Sequence, residues 1–302
     1  MQHLVVITGP TAAGKTDLSI RLARRWDTSI VSCDSRQFYK EMRIGTAVPD
    51  EAQLDLVPHY FIGNLSVRDY YSAFRFEQDA VSLLADLFRD KDRIIMTGGS
   101  GLYMDAVLNG IDDIPDPDPE IRDRLRLQLE TGGMDPLLEQ LATLDPEYYG
   151  QVDRKNPARV LRGLEVCLVT GRTFTSFRIR KKTHRDFKTI LIGLDLPRKE
   201  LHDRIDRRVD RMMANGLLEE ARGLIPYRRL SALNTVGYRE LFSYLDGKIP
   251  LDEAIRLIKR NTRRYARRQI TWNNRYPDIR FFHPSQFGEI CEWVEGFQDR
   301  PG

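Results

Sequence analysis

The chain has 302 residues, 41% of them hydrophobic and 30% charged, and its 47 Lys and Arg against 44 Asp and Glu leave a formal net charge of +3. That length allows one large domain or two modest ones, and the evenly spread apolar residues, with 21 Gly and 15 Pro, exclude collagen-like, low-complexity and disordered classes. No apolar run approaches the roughly 18–20 residues that span a bilayer. MQHLVVITGP enters a strand at once without a signal peptide, and Cys33, Cys167 and Cys291 form neither a disulfide framework nor a CxxC zinc site, so a cytoplasmic protein without a membrane is expected.

In chain order, LVVIT at 4–8 is a short β-branched run, GPTAAGKT follows at 9–16, and DLSIRLARRW carries apolar residues at helical spacing. This reads as strand, phosphate loop, helix. Further apolar runs at 29–33 (SIVSC), 93–97 (RIIMT) and 189–196 (TILIGLDL) alternate with helical stretches. The pattern predicts an α/β fold, a phosphate-loop NTPase-like parallel sheet flanked by helices. Between the last two runs IDDIPDPDPEIRDRLRLQLE is acidic and Pro-rich at first, then strongly helical to about residue 170. The expected organisation is a core of residues 1–114 and 188–302 interrupted by a helical insertion domain at 115–187. From Pro197 onward the chain is helical and basic, apart from an aromatic stretch at 280–283.

Gly9, Pro10, Thr11, Ala12, Ala13, Gly14, Lys15 and Thr16 satisfy G-x-x-x-x-G-K-[ST] in the context that motif needs, after a strand and opening a helix. Glycines let backbone N–H groups wrap a phosphate, the helix N-terminus adds partial positive charge, Lys15 adds a point charge, and Thr16 offers a hydroxyl to Mg²⁺. Any diphosphate satisfies such a loop. Asp34, just past the second apolar run, stands where open α/β sheets bind ligands, and it equally suits the N-cap of a helix over SRQFYKEM. TGGSGLYMDAVLNG at 97–110 places glycines and a hydroxyl at a strand end, suited to close backbone approach to a ligand.

From Ala254 to Pro277 stand Arg256, Lys259, Arg260, Arg263, Arg264, Arg267, Arg268 and Arg275 with no acid among them, while Ile255, Ile258, Thr262, Tyr265 and Gln269 recur every three or four residues. A helix with one packed stripe and a broad cationic surface is predicted. It lacks i,i+4 acidic partners, which points to nucleic-acid phosphate. RKELHDRIDRRVDR at 198–211 alternates signs, as a salt-bridged helix does.

Taken together, these segments resemble the tRNA dimethylallyltransferases, also called tRNA isopentenyltransferases, of the bacterial type. GPTAAGKT resembles that family's GPTASGKT, VSCDSRQFYKEMRIGTAVP at 31–49 its S-x-DS-x-x-x-Y-x-x-M-x-IGTA-x-P, and GGSGLY its GGT-x-LY. PHYFIGNLSVRDYYSAFRFEQDA, NPARVLRGLEV, NTVGYREL and RRQITW complete the set, in order from residue 4 to about 276. Ser100 stands where Thr is usual, Val48 where Lys is common, and Asn273-Asn274 where an aromatic or Arg often follows.

The resemblance implies transfer of the dimethylallyl group from dimethylallyl diphosphate to N6 of adenosine 37 beside the tRNA anticodon. It assigns Asp34 as the base for the exocyclic amine, whose delocalised lone pair makes it a poor nucleophile. It places Thr11 at the reacting diphosphate and Arg208 on the same group, with the loop and Mg²⁺ stabilising departing charge rather than hydrolysing ATP. Implied tRNA contacts fall on Asp34, Ser35, Arg36, Gln37, Ser100 and Arg122; on Ala158, Arg159, Val160, Leu161 and Arg162; on Asn234, Thr235, Val236, Gly237, Tyr238 and Arg239; and on Arg267, Arg268, Gln269, Ile270, Thr271, Trp272, Asn273 and Asn274. The partners so implied are the tRNA anticodon stem-loop and dimethylallyl diphosphate, with the chain a monomer. A small-metabolite kinase explains the loop and sheet but leaves the acid-free helix and RRQITW without purpose. A non-catalytic RNA-binding protein would use the loop only structurally. A relative that prenylates free adenine nucleotides has no use for the basic C-terminal region and the helical insertion.

Overall fold

Short runs of apolar and β-branched residues form β1 (His3–Thr8), β2 (Ile30–Ser32), β3 (His59–Tyr60), β4 (Arg93–Thr97), β5 (Lys188–Leu194) and β6 (Arg280–Phe282). In the computed structural model, which describes residues 2–179 and 183–297, they make one parallel sheet in the order β3-β2-β4-β1-β5-β6. The middle strands read as continuous apolar runs because helices cover both faces of the sheet: Leu4, Val5, Val6, Ile7, Ile94, Ile95 and Met96 are fully buried. β4 fills the place between β1 and β2, so the carboxyl ends of these three strands lie side by side. That is the crevice where open α/β sheets bind ligands. β3 is a strand that apolar patterning does not predict, since two residues carry no period.

The helices are α1 (Lys15–Arg25), α2 (Glu51–Leu54), α3 (Ala73–Leu87), α4 (Gly101–Asn109), α5 (Pro119–Gly132), α6 (Asp135–Leu144), α7 (Pro146–Gln151), α8 (Pro157–Thr170), α9 (Arg198–Ala214), α10 (Leu217–Gly223), α11 (Tyr238–Leu245), α12 (Leu251–Asn273) and α13 (Phe287–Glu295). None in the described residues is long and apolar enough to cross a membrane.

The chain divides into two compact units, one of Met1–Tyr71, Gln78–Leu108 and His184–Gly302, the other of Ser72–Glu77 and Asn109–Thr183. The first holds the sheet and two apolar clusters. One gathers Val5, Ile7, Ile95 and Ile192 with Leu18, Leu22 and Ile205 from the helices. The other gathers Met42, Val209, Leu217, Leu233, Tyr238, Leu241 and Ile258.

Asp-Pro and Asn-Pro pairs punctuate the second unit. Asp118, Asp145 and Asn156 each accept from backbone amides of the helix they open, before Pro119, Pro146 and Pro157, whose missing N–H costs nothing at a first helical position. Leu125, Leu137, Leu141, Tyr148, Val160, Leu164 and Phe174 form its core. Glu165, buried in that core, is paired by Arg122 at 2.8 Å and Arg162 at 2.7 Å. The unit's edges differ from the expected 115 and 187. Thr183 N–H donates to the Asn109 carbonyl at 3.1 Å and so joins the two ends, and Arg75 of the Ser72–Glu77 segment pairs with Asp116.

Candidate active site

The turn between β1 and α1 has the backbone conformations its sequence requires. Gly9 has φ +149°, and a Cβ there would lie 2.9 Å from the Leu194 carbonyl oxygen of β5. Gly14 opens α1 in the left-handed region at φ +95°, and Ala12 is held at φ +67°, a conformation that L-residues adopt at a cost and that clusters at ligand sites. The first amides of α1 point out of the helix N-terminus. Lys15 Nζ donates to the carbonyls of Gly9 (3.0 Å) and Pro10 (2.9 Å). Burial, with Arg208 nearby, lowers its ammonium from 10.5 to about 8, against the pull of Asp34 and Cys33. The Thr16 hydroxyl makes no hydrogen bond to the described residues and faces the cavity, so a hard oxygen is free for a divalent cation. No group of three or more His, Cys, Asp or Glu in the described residues could hold a metal ion.

Asp34 caps no helix, because the backbone after β2 runs into successive turns. Its Oδ1 accepts from Arg36 N–H at 3.0 Å, an Asx turn that fixes the carboxylate. Its Oδ2 accepts nothing from the described residues and lies beside Gly99, where a Cβ would be 3.4 Å away. Ser100 accepts from Ser35 N–H at 3.0 Å and exchanges a hydroxyl contact at 2.9 Å, so Ser in place of Thr keeps the hydroxyl that holds this turn. The glycines after β4 let other parts of the protein pack closely, and Gly98 and Gly99 also line the cavity over the strand ends. A Cβ on Gly98 would lie 2.6 Å from Cys33 Sγ, on Gly99 2.4 Å from Gln269 Nε2, and on Gly101 2.3 Å from the Trp272 indole nitrogen.

A cavity of about 1450 Å³ opens over these strand ends, lined by Thr11, Ala12, Gly14, Lys15, Thr16, Asp34, Gln37 and residues 43–44 and 46–53. Arg204, Arg207, Arg208 and Arg211, spaced to share one side of α9, line it as well. Arg208 Nη2 donates to the Thr46 carbonyl at 3.5 Å; burial draws its guanidinium down and Asp34 opposes the shift. Gln37 Nε2 donates to the carbonyls of Ala47 (3.2 Å) and Thr46 (3.4 Å).

On α12 the buried line runs through Ala254, Ile258, Ala266, Gln269 and Asn273, close to the predicted stripe. The absence of acidic partners holds within the helix run but not in space. Asp210 of α9 pairs with Lys259 at 2.6 Å, Asp206 pairs with Arg263 at 3.1 Å, and Glu253, just before the acid-free run, pairs with Arg256 at 2.6 Å. The sign-alternating α9 therefore neutralises part of α12. Arg260, Arg264, Arg267 and Arg268 make no ion pair with the described residues.

The expected tRNA contacts sort by exposure into three groups. Ala158, Arg159, Asn234, Arg239, Arg267, Arg268, Thr271 and Asn274 are exposed, while Ser35, Arg36, Leu161, Thr235, Val236, Ile270 and Trp272 are half-buried. Val160, Tyr238 and Asn273 are buried side chains and Gly237 a buried turn, while Gln269 is buried yet lines the cavity. Asn273 accepts from the Thr8 hydroxyl at 3.0 Å, which ties α12 to the end of β1. Arg122 and Arg162 spend their guanidinium groups on Glu165. Sequence reasoning missed Arg204, Arg207 and Arg211, whose R-x-x-R-R-x-x-R spacing was the available signal, and Glu220, for which there was none.

Residues 37–276 match the IPP transferase family. The chain is 52% identical to tRNA dimethylallyltransferase 1 of Bacteroides thetaiotaomicron, with 97% of this chain and 96% of that one covered. It is 53% identical to the tRNA dimethylallyltransferase of Christiangramia forsetii, with 97% of each covered. The crystal structure of the full-length tRNA isopentenylpyrophosphate transferase of Bacillus halodurans superposes with a TM-score of 0.72 at 34% identity, covering 98% of this chain and 96% of that one. A eukaryotic dimethylallyltransferase solved acting on tRNA shares the fold, with a TM-score of 0.78 at 24% identity, over 100% of this chain and 81% of that one. With the phosphate loop, the carboxylate-bearing strand end and the RRQITW helix in one cavity-forming unit, and relatives matched over almost its whole length, the chain belongs to the IPP transferase family of tRNA-prenylating transferases.

Proposed function

We propose that the protein transfers the dimethylallyl group of dimethylallyl diphosphate to N6 of adenosine 37 next to the tRNA anticodon, giving N6-isopentenyladenosine and diphosphate. One observation carries the reading: a carboxylate oxygen of Asp34 that accepts nothing from the described residues shares a cavity with Lys15, Arg208 and the N-terminus of α1. Asp34 Oδ2 accepts a proton from the adenine amine as the nitrogen bonds to the allylic carbon. The carbon–oxygen bond breaks, and its electron pair leaves on the diphosphate, whose charge falls on Lys15, Arg208 and the amides that open α1. Thr11, at the bend of the loop, is placed for the bridging oxygen. The Thr16 hydroxyl would hold a Mg²⁺ ion, which when bound would add to neutralisation of the leaving group's charge.

The acceptor base must leave its loop stack to enter the cavity, at a cost of a few kcal/mol. The arginines of α12 that make no ion pair with the described residues, and the exposed Arg239, suit the phosphates around it. Three buried free cysteines fit a reducing cytoplasm.

The test is incubation with dimethylallyl diphosphate, Mg²⁺ and unmodified tRNA, followed by mass mapping of nucleosides. The expected product is an isopentenyl group at adenosine 37. No modification of any tRNA, or transfer to free AMP in preference to tRNA, would overturn the reading.

A further inference from the structure

Glu220 lies on α10, away from every motif that marks the site, yet its carboxylate is saturated by donors from the cavity rim. Oε2 accepts from the amides of Arg43 (2.9 Å) and Ile44 (2.8 Å); Oε1 accepts from the amide of Gly45 (2.9 Å) and the hydroxyl of Tyr238 (2.6 Å). Three consecutive N–H groups converging on one anion form a nest, the arrangement that elsewhere captures phosphate. Here the protein fills it with its own charge. Gly45 is required because the phenol occupies the space of a side chain: a Cβ would lie 2.5 Å from the Tyr238 hydroxyl oxygen.

The turn held this way does not end at Gly45. Thr46 donates its hydroxyl to the Met42 carbonyl, and Ala47 stands at φ +47°, a left-handed conformation that is strained for a non-glycine residue. A strained turn persists only where its surroundings over-determine it, and the four bonds to Glu220 do so. Beyond the anchor, the carbonyls of Thr46 and Ala47 face inward and receive Gln37 Nε2 and Arg208 Nη2. The chain of contacts thus runs from Glu220 through the 43–47 backbone to the guanidinium placed on the diphosphate.

We propose that Glu220 is a positioning residue for the diphosphate subsite, acting on Arg208 through the backbone it anchors. The proposal rests on the functional reading above for the identity of the anion. In Glu220→Gln, an amide group would face two of the four donors, the turn would relax, and Arg208 would lose its fixed acceptor.

The test measures the affinity of the full chain for inorganic diphosphate with Mg²⁺ by calorimetry, together with KM and kcat for transfer to tRNA. E220Q is expected to weaken diphosphate about tenfold and to raise KM for dimethylallyl diphosphate to the same degree, with kcat at saturation within threefold of the parent. Gly45→Ala, which pushes the turn off the phenol without touching Glu220, is expected to shift both constants the same way. A purely structural role predicts the opposite split, with fewer binding-competent molecules and lower kcat at unchanged Kd and KM. Unchanged Kd in whichever variant stays folded overturns the proposal. Because diphosphate binding needs no acceptor, a parent chain that binds it, loses affinity in E220Q and never modifies tRNA would sink the proposed reaction and leave the role of Glu220 standing.

Discussion

Gln269, buried on α12, accepts a hydrogen bond from the backbone amide of Thr11 at 2.8 Å, and its other amide atom donates to the Gly99 carbonyl at 2.9 Å. One side chain thereby joins the phosphate loop to the turn after β4. Gln269→Leu keeps the bulk but leaves the Thr11 amide unpaired, while the Gly99 carbonyl keeps the Tyr265 hydroxyl at 3.1 Å; one lost partner costs about 1–3 kcal/mol. Urea unfolding is expected to show a loss of that order, accompanied by a fall in kcat/KM for dimethylallyl diphosphate larger than that for tRNA. Equal falls for both substrates would place the residue elsewhere in the mechanism.

Asp34→Asn keeps the Asx turn, since the amide oxygen still accepts from Arg36 N–H, and removes the proton acceptor. Transfer is expected to drop by about 10²–10⁴-fold, the range for loss of a general base, with tRNA affinity within a factor of about two. A filter-binding titration beside single-turnover kinetics separates the two quantities. Turnover near that of the parent enzyme would rule out Asp34 as the base.

With the Lys15 ammonium lowered to about 8 by burial and Arg208, diphosphate binding is pH-dependent in an accessible range. The anion binds the protonated form, so Kd is expected to be flat below about pH 7 and to rise about tenfold per pH unit well above pH 8, as linkage requires when the ligand must return a proton to the site. Lys15→Met is expected to bind weakly with no such inflection. A Kd that stays level from pH 7 to 10 contradicts the assignment.

The cations of α12 are not equivalent. Arg264 and Arg267 make no ion pair with the described residues, whereas Lys259 and Arg263 are held by Asp210 and Asp206. Each Ala substitution at Arg264 or Arg267 is expected to weaken tRNA binding uniformly and to lower the slope of log K against log salt by nearly one. Arg263→Ala should leave that slope nearly unchanged and act on stability instead. Identical salt slopes for Arg263→Ala and Arg267→Ala would show that the pairing seen with Asp206 does not shield the helix.

The phosphate loop, four of the strands and the course of α12 were legible because their signals are local: β-branched runs, a motif of fixed spacing, an apolar stripe of helical period. β3 was not, since His59-Tyr60 is too short to have a period. The interior use of Asn273, and the two backbone groups that Gln269 joins from the predicted stripe, were hidden for a different reason. A polar residue on a helix reads the same in sequence whether it meets solvent, a ligand or a backbone amide. The pairing of α12 with α9 escaped because acids were sought within the helix, four residues away, and the partners stand some fifty residues upstream. Glu220 was invisible because its meaning lies in three amides far earlier in the chain.

The hydrogen bond between Thr183 and Asn109 bears on how the molecule assembles. β5 must find β1 in register, His3 beside Lys188, across most of the length of the chain, and such distant pairings make folding slow. Once the helical segment has folded and brought Asn109 against Thr183, the tether between the two strands is shortened by everything between those residues, and the entropy lost on closing it falls accordingly. The segment between β4 and β5 is thus expected to act as a folding clasp, its local helices protected before the central sheet in pulsed hydrogen exchange during refolding.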